Sequence, residues 1–459
     1  MASKSKRAST RPEKNSTKIF FYWAVAVFFI KVSIISSITA GLIDISGKQF
    51  VVDGAWLGAD GENYLKGLTG LVRDGVFSSE GILNYWPAGY PLVIYLLSFL
   101  GSSWTLTTLS IMQSLIFSFA SYFFASQLSK TRLKKYAYVI FVLIILNPTL
   151  TLSSIAIGYE SLTASGFLIS IGLITKDLLD KNDKNLLRYF LVNSIIFGLM
   201  TFMQPRLIAS GILITFVWLI LRKGLKVGVL LSIIAISITL LFPAALMFRN
   251  NKAVGLTSIS TNLGVTMNIG AGDQATGGYV GNWKGVPCTL SGTESEKDSQ
   301  QVRCVINWYL SNPIKGLNLF YSKSIYFWSP WFGPEANGTM ARNPWLTISP
   351  IKNITKTQDG VDLVYGSFGK LISWLWLLGG LTLLIYGYIT LWRQKFLERF
   401  IGNLAMIAIS TNWLISLISI GDHRFRVPIM GMSLFLQAVG FKTLLRGGKP
   451  AMVDGAALR

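Results

Sequence analysis

The chain has 459 residues, 51% of them hydrophobic and only 14% charged, with a mean hydropathy of +0.49 and a formal charge of +21. That balance is too apolar for a soluble domain of this length. The excess positive charge does not mark a nucleic-acid binder either, because the lysines and arginines lie mostly in short loops beside apolar runs.

The chain opens with a basic tail, residues 1–18, in which Lys4, Lys6, Arg7, Arg11, Lys14 and Lys18 suit a cytoplasmic segment touching anionic lipid. The apolar run behind it is too long for a cleaved leader. With that tail inside, about ten helices cross the bilayer, at 19–42, 105–127, 136–149, 160–175, 187–203, 206–221, 227–248, 367–391, 400–420 and 427–446. The clusters Lys130–Lys135, Lys176–Arg188, Arg222–Lys226, Arg393–Arg399 and Lys442–Lys449 then all fall on the cytoplasmic side, as the positive-inside rule requires. Both termini are cytoplasmic in this reading, and the protein is a multi-pass resident of the plasma (inner) membrane. Segments 136–149, 160–175 and 206–221 are short for full spans, and two of them are also readable as one broken hairpin.

Two apolar stretches are read as juxtamembrane helices instead. Residues 89–100 are too few to cross, and Lys315 and Lys323 interrupt residues 313–331. The expected architecture is therefore an all-α polytopic membrane protein with a mixed extracytoplasmic region. Its parts are a transmembrane module 19–248 containing the outer loop 43–104, an outer region 249–366, C-terminal helices 367–446 and a cytoplasmic tail 447–459. The only cysteines, Cys288 and Cys304, both fall in that outer region. There they can close a loop of about 17 residues, worth about 3 kcal/mol, although two free thiols are the alternative.

The first outer loop carries Asp60-Gly61-Glu62-Asn63-Tyr64-Leu65 and then Tyr85-Trp86-Pro87-Ala88-Gly89-Tyr90-Pro91. Leu65, Leu68, Leu71 and Val72 recur at helical spacing, which puts Asp60 at a helix N-terminus. A carboxylate there can stay ionised as a general base. It can equally cap the helix, and the local residues leave both readings open. Glu160 opens the fourth span, where dipole compensation is the ordinary role of an acid. His423 is the only histidine, so no zinc ligand set exists, and no Walker or dinucleotide motif is present.

Asp60, Tyr64-Leu65, Gly75 and Pro87-Ala88-Gly89-Tyr90-Pro91-Leu92 together resemble the first outer loop of the GT-C glycosyltransferases that use polyprenyl-phosphate sugars. The similarity is to the relatives of protein O-mannosyltransferases and aminoarabinose transferases, glycosyltransferase family 39-like. Later segments fit the same order: Asn262 to Gly270, the acidic and lysine-bearing stretch Glu294 to Lys323, and Arg424-Phe425-Arg426-Val427-Pro428. Ala88 stands where many relatives have a second proline, and Gly61 separates two acids that some relatives have adjacent.

The resemblance implies a GT-C fold and inverting transfer of a sugar from a polyprenyl-phosphate donor to an acceptor hydroxyl on the extracytoplasmic side. The acceptor is a glycan, a lipid or a protein. Asp60 is the implied base, and a cation must meet the leaving phosphate. Arg424 and Arg426 come first for that role, then Lys323 and Arg206, with His423 as a donor to phosphate or sugar; Arg249 and Arg342 also face outward. Glu160 and Glu62 are candidates for acceptor or metal binding. No cofactor is required, although Asp60, Glu62 and Glu160 could converge on a divalent cation. The rival readings are an O-antigen polymerase or ligase-like enzyme, which would lack an acidic motif after the first span, and a lipid-linked sugar transporter. The transporter would need ionisable groups at mid-bilayer, where only Lys31 is found.

Overall fold

The computed structural model describes residues 13–38, 41–45, 48–57, 60–180, 182–278, 285–328, 357–358, 362–363 and 366–445. The chain is an all-α polytopic membrane protein, and each of the ten segments expected to span contains a helix. In order they are α1 (Glu13–Ser37), α5 (Thr105–Leu128), α6 (Lys134–Ile145), α8 (Glu160–Asp180), α9 (Asp183–Met203), α10 (Ile208–Val254, which holds two of them), α14 (Gly366–Trp392), α15 (Phe396–Ile418) and α16 (Met430–Leu445). Seven helical stretches among the described residues are long and apolar enough to cross a membrane. Their outward faces carry Phe29, Leu230 and Leu241, each more than half exposed, as lipid-facing helices require.

The helix boundaries differ from the sequence reading in physically instructive ways. The first helix begins at Glu13, inside the expected tail, and stops at Ser37 rather than at 42. Gly41–Ile45 (β1) and Lys48–Val52 (β2) pair antiparallel instead, consistent with the poor helix propensity of the Ser, Ile, Thr and Gly run at 36–41. The fourth span reaches Asp180, long enough to cross. By contrast α6 has only 12 residues, and Pro148 at the first turn of a separate helix, α7 (Pro148–Ser153), starts a new direction under an Asn147 cap.

The 47 residues of α10 are two antiparallel spans joined at Gly224, whose φ of +76° only glycine adopts without strain. Behind the turn the two helices of the hairpin touch: a Cβ on Gly228 would lie 2.5 Å from the Ile220 Cα. Arg222 and Lys223 at this turn pair with Asp183 at 2.9 and 2.7 Å, and Arg222 lies 3.3 Å from the buried Asp177. Lys31 is also accounted for, since its Nζ donates to Ser154 Oγ at 2.8 Å and sits 4.2 Å from the Phe117 ring.

Between the spans lie short helices that build one end of the bundle. They are α2 (Gly61–Asp74), α3 (Ile82–Tyr85), α4 (Gly89–Ser98), α11 (Leu263–Ile269), α12 (Glu294–Ser311) and α13 (Pro313–Trp328). Residues 329–331 of the expected interfacial helix fall outside the described residues. Cys288 and Cys304 are joined by a disulfide that staples the loop before α12 to that helix. Reduction is expected to lower the stability of this region by about 3 kcal/mol, the chain-entropy value for a loop of this size. Differential scanning fluorimetry in detergent with and without reductant measures it, and an unchanged melting temperature would refute it.

Candidate active site

A parallel bridge between two distant loops creates the site. Trp56 N donates to Ile155 O at 3.0 Å and Ile157 N donates to Trp56 O at 2.8 Å, which sets the segment before Asp60 beside the segment before Glu160. Residues 154–158 have no helix to satisfy their carbonyls, so α5 side chains do it. Ser114 Oγ donates to Ser154 O at 3.2 Å, Ser110 Oγ to Ile155 O at 3.1 Å and Gln113 Nε2 to Ala156 O at 2.9 Å. Tyr90 completes the strap by donating to Gln113 Oε1 at 3.2 Å while accepting Gly158 N–H at 2.7 Å.

Asp60 occupies the N-cap position of α2, yet its side chain makes no cap hydrogen bond. Its Oδ2 accepts a hydrogen bond from Arg424 Nη1 instead. The same guanidinium donates through Nε to Glu160 Oε1 at 2.5 Å. One arginine therefore bridges two carboxylates that stand a hundred residues apart in sequence. The local choice between cap and base is decided against the cap.

The arginine arrives on a tight 3₁₀ helix, His423–Ile429, whose N-cap Asp422 accepts Arg424 N–H at 2.8 Å. Arg206, just after the Pro205 turn, donates through Nη2 to Phe425 O at 3.0 Å and stacks on the Phe425 ring at 3.7 Å. Its Nε and Nη1 are buried and have no hydrogen-bond partner among the described residues. Asp60, Arg424, Arg206 and Asp422 share one cavity of about 1170 Å³ with Tyr64, Trp86, Tyr159 and Gln204. Tyr64 packs edge-on to Tyr90 at 4.8 Å, and burial holds its phenol well above the usual range.

Burial pushes the Asp422 carboxyl from 3.8 up to about 6, against the pull of Arg424 and Arg206. The folded protein thus holds this proton more tightly than the unfolded chain. The resulting stabilisation is full below pH 3.8 and is lost as pH rises through about 6. Thermal stability is expected to fall between about pH 4 and about pH 6 by more in the wild type than in Asp422→Asn. Parallel melting curves across that range check it; superimposable pH profiles would show that the group does not titrate there.

Four predicted residues, Asp60, Glu160, Arg424 and Arg206, come together; the others do not. Lys323 is fully buried, donating to Tyr309 Oη at 2.7 Å and Leu417 O at 2.8 Å, and it ties α13 to the last turn of α15 rather than facing the cavity. Burial lowers its ammonium to about 7. Arg426 donates to Trp328 O at 2.7 Å and does not line the cavity. Glu62 is exposed in the first turn of α2 and does not line the cavity. The His423 side chain and all of Arg342 lie outside the described residues. Arg249 is not an anion site either: it fastens Val76 O at 3.0 Å, Leu83 O at 3.3 Å and Asn84 Oδ1 at 2.8 Å, which fixes the loop leading to Trp86.

Asp422, Tyr159, Gln204 and Phe425 were not singled out by sequence. Only Asp422 carried a signal, an Asx side chain two residues before an arginine at a helix start. Among the described residues no three His, Cys, Asp or Glu side chains cluster, and a guanidinium already lies between Asp60 and Glu160.

No protein-family profile and no curated protein sequence matches the chain. Several solved structures overlay on it, two of them as follows. One is the archaeal oligosaccharyltransferase AglB from Archaeoglobus fulgidus in complex with an inhibitory peptide and a dolichol-phosphate, at a TM-score of 0.45 and 15% identity, covering 95% of this chain and 52% of that one. The other is the Archaeoglobus fulgidus oligosaccharyltransferase tethered through a disulfide bond to an acceptor peptide containing the NVT sequon, at a TM-score of 0.45 and 12% identity, again covering 95% and 52%. The chain spans about half the length of the structures it matches.

Proposed function

We propose that the protein is an integral membrane glycosyltransferase of the GT-C type, which moves a sugar from a polyprenyl phosphate to an acceptor hydroxyl with inversion. The observation that carries this reading is the placement of Asp60, which leaves the helix cap it could have made and turns into a cavity lined by two arginines. In the reaction the acceptor oxygen bonds to the anomeric carbon as the bond from that carbon to the phosphate oxygen breaks. The hydroxyl proton passes to Asp60, and the electron pair leaves on the lipid phosphate. Arg206, whose side chain lines the cavity, supplies positive charge to that phosphate.

The positive-inside charge pattern supports an extracytoplasmic side for the loops carrying Asp60 and Arg424. The acceptor is a glycan, a lipid or a protein. Lys31 gives the transporter reading no support, because its amine is held by Ser154 rather than facing a passage. The test is direct. Purified protein in nanodiscs is given undecaprenyl-phosphate-linked hexoses and pentoses with an envelope extract, and released undecaprenyl phosphate is quantified by mass spectrometry. Sugar transfer that requires Asp60 supports the reading, and no turnover of any such donor would overturn it.

A further inference from the structure

Arg424 faces a conflict. A donor phosphate reaching Arg424 would compete with the two carboxylates it now neutralises through Nε and Nη1, and the surroundings of the two are unequal. The Glu160 side chain is 1% exposed, whereas that of Asp60 is 24% exposed. Stripping the guanidinium from Glu160 would leave a buried charge with no compensation, the costlier event. Its other oxygen, Oε2, already has no hydrogen-bond partner among the described residues. Releasing Asp60 leaves a carboxylate that water can reach. The Glu160 end is also the stiffer one, since Glu160 begins a 21-residue helix two residues after Gly158, which Tyr90 pins.

We infer that Glu160 is the positioning residue of this site: it anchors Arg424 through Nε, while the far side of the guanidinium passes from Asp60 to the phosphate of an arriving lipid donor. This rests on the glycosyl-transfer reading above. Arg206 supplies the second pole, because its side chain lines the same cavity and its positive charge draws an anion in beside Arg424. Without donor, Asp60 is masked by its ion pair and is a poor base. With donor bound, the arginine is engaged by phosphate and Asp60 becomes a free carboxylate at the moment an acceptor proton must be taken. Glu160 then has no direct role with acceptor or metal.

The experiment titrates undecaprenyl phosphate alone into nanodisc-embedded wild type, Asp60→Asn, Glu160→Gln, Glu160→Asp and Glu62→Gln. Asp60→Asn removes the phosphate's competitor and is expected to bind about tenfold more tightly, equivalent to about 1.4 kcal/mol. Glu160→Gln unmoors the arginine and is expected to bind about tenfold more weakly, with Glu160→Asp in between. Glu62→Gln removes a nearby exposed charge and leaves the affinity unchanged. The inference is overturned if Asp60→Asn gains nothing, if Glu62→Gln gains as much, or if Glu160→Gln binds like wild type. Should Glu160→Gln fail to fold, the comparison of Asp60→Asn with Glu62→Gln decides. No binding by the wild type overturns the donor reading and this inference with it, whereas wild-type binding without the Asp60→Asn gain overturns the inference alone.

Discussion

Asp60→Asn is expected to lower sugar transfer by roughly 10²–10⁴-fold, the usual contribution of a positioned general base. The substitution keeps the size of the side chain and its ability to accept from Arg424, so the fold should stand. Asp60 caps nothing in α2, which removes the main structural reason for such a loss. The diagnostic pattern is a collapse of kcat with protein yield and melting temperature close to wild type. Turnover near wild-type level would show that the acceptor proton leaves by another route. A large fall in melting temperature would instead recast the carboxylate as part of the scaffold.

Arg424→Ala is the second large effect, and it strikes both stability and function. Removing one arginine leaves Glu160 and Asp60 facing each other without a cation, and breaking a buried pair from one side costs about 3–5 kcal/mol. Arg424→Lys should recover little of this, because a single ammonium cannot present Nε and Nη1 to two carboxylates at once. Glu160→Gln in the Arg424→Ala background should restore part of the lost stability, since it removes the orphaned charge. Melting curves of the single and double variants measure this coupling. Additive effects would mean that the two side chains do not depend on each other.

The spans were legible because lipid imposes two strong constraints, apolar length and inward positive charge, and both are written locally. Asp60 was legible as a residue at a helix start, but its role depended on where the side chain turned. That direction follows Arg424, which lies 364 residues away. Lys323 and Arg426 show the same difficulty from the other side. Each sits in a stretch where a phosphate-binding cation is plausible, yet their donors meet Leu417 O and Trp328 O, acceptors fixed only by tertiary packing. The hairpin Gly41–Val52 was missed because the apolar run continues past Ser37 and hydropathy alone does not distinguish helix from strand.

The Tyr90 hydroxyl, lodged between Gln113 and Gly158, has a mechanical consequence. The loop ahead of Asp60 leans on residues 155–157, and those residues are moored through Tyr90 and α5 to a single joint. Because both loops hang from that joint, the two acids are expected to shift together when the surrounding helices move, which would preserve the gap between them. Tyr90→Phe would cut the mooring at Gly158 without disturbing any group that meets substrate.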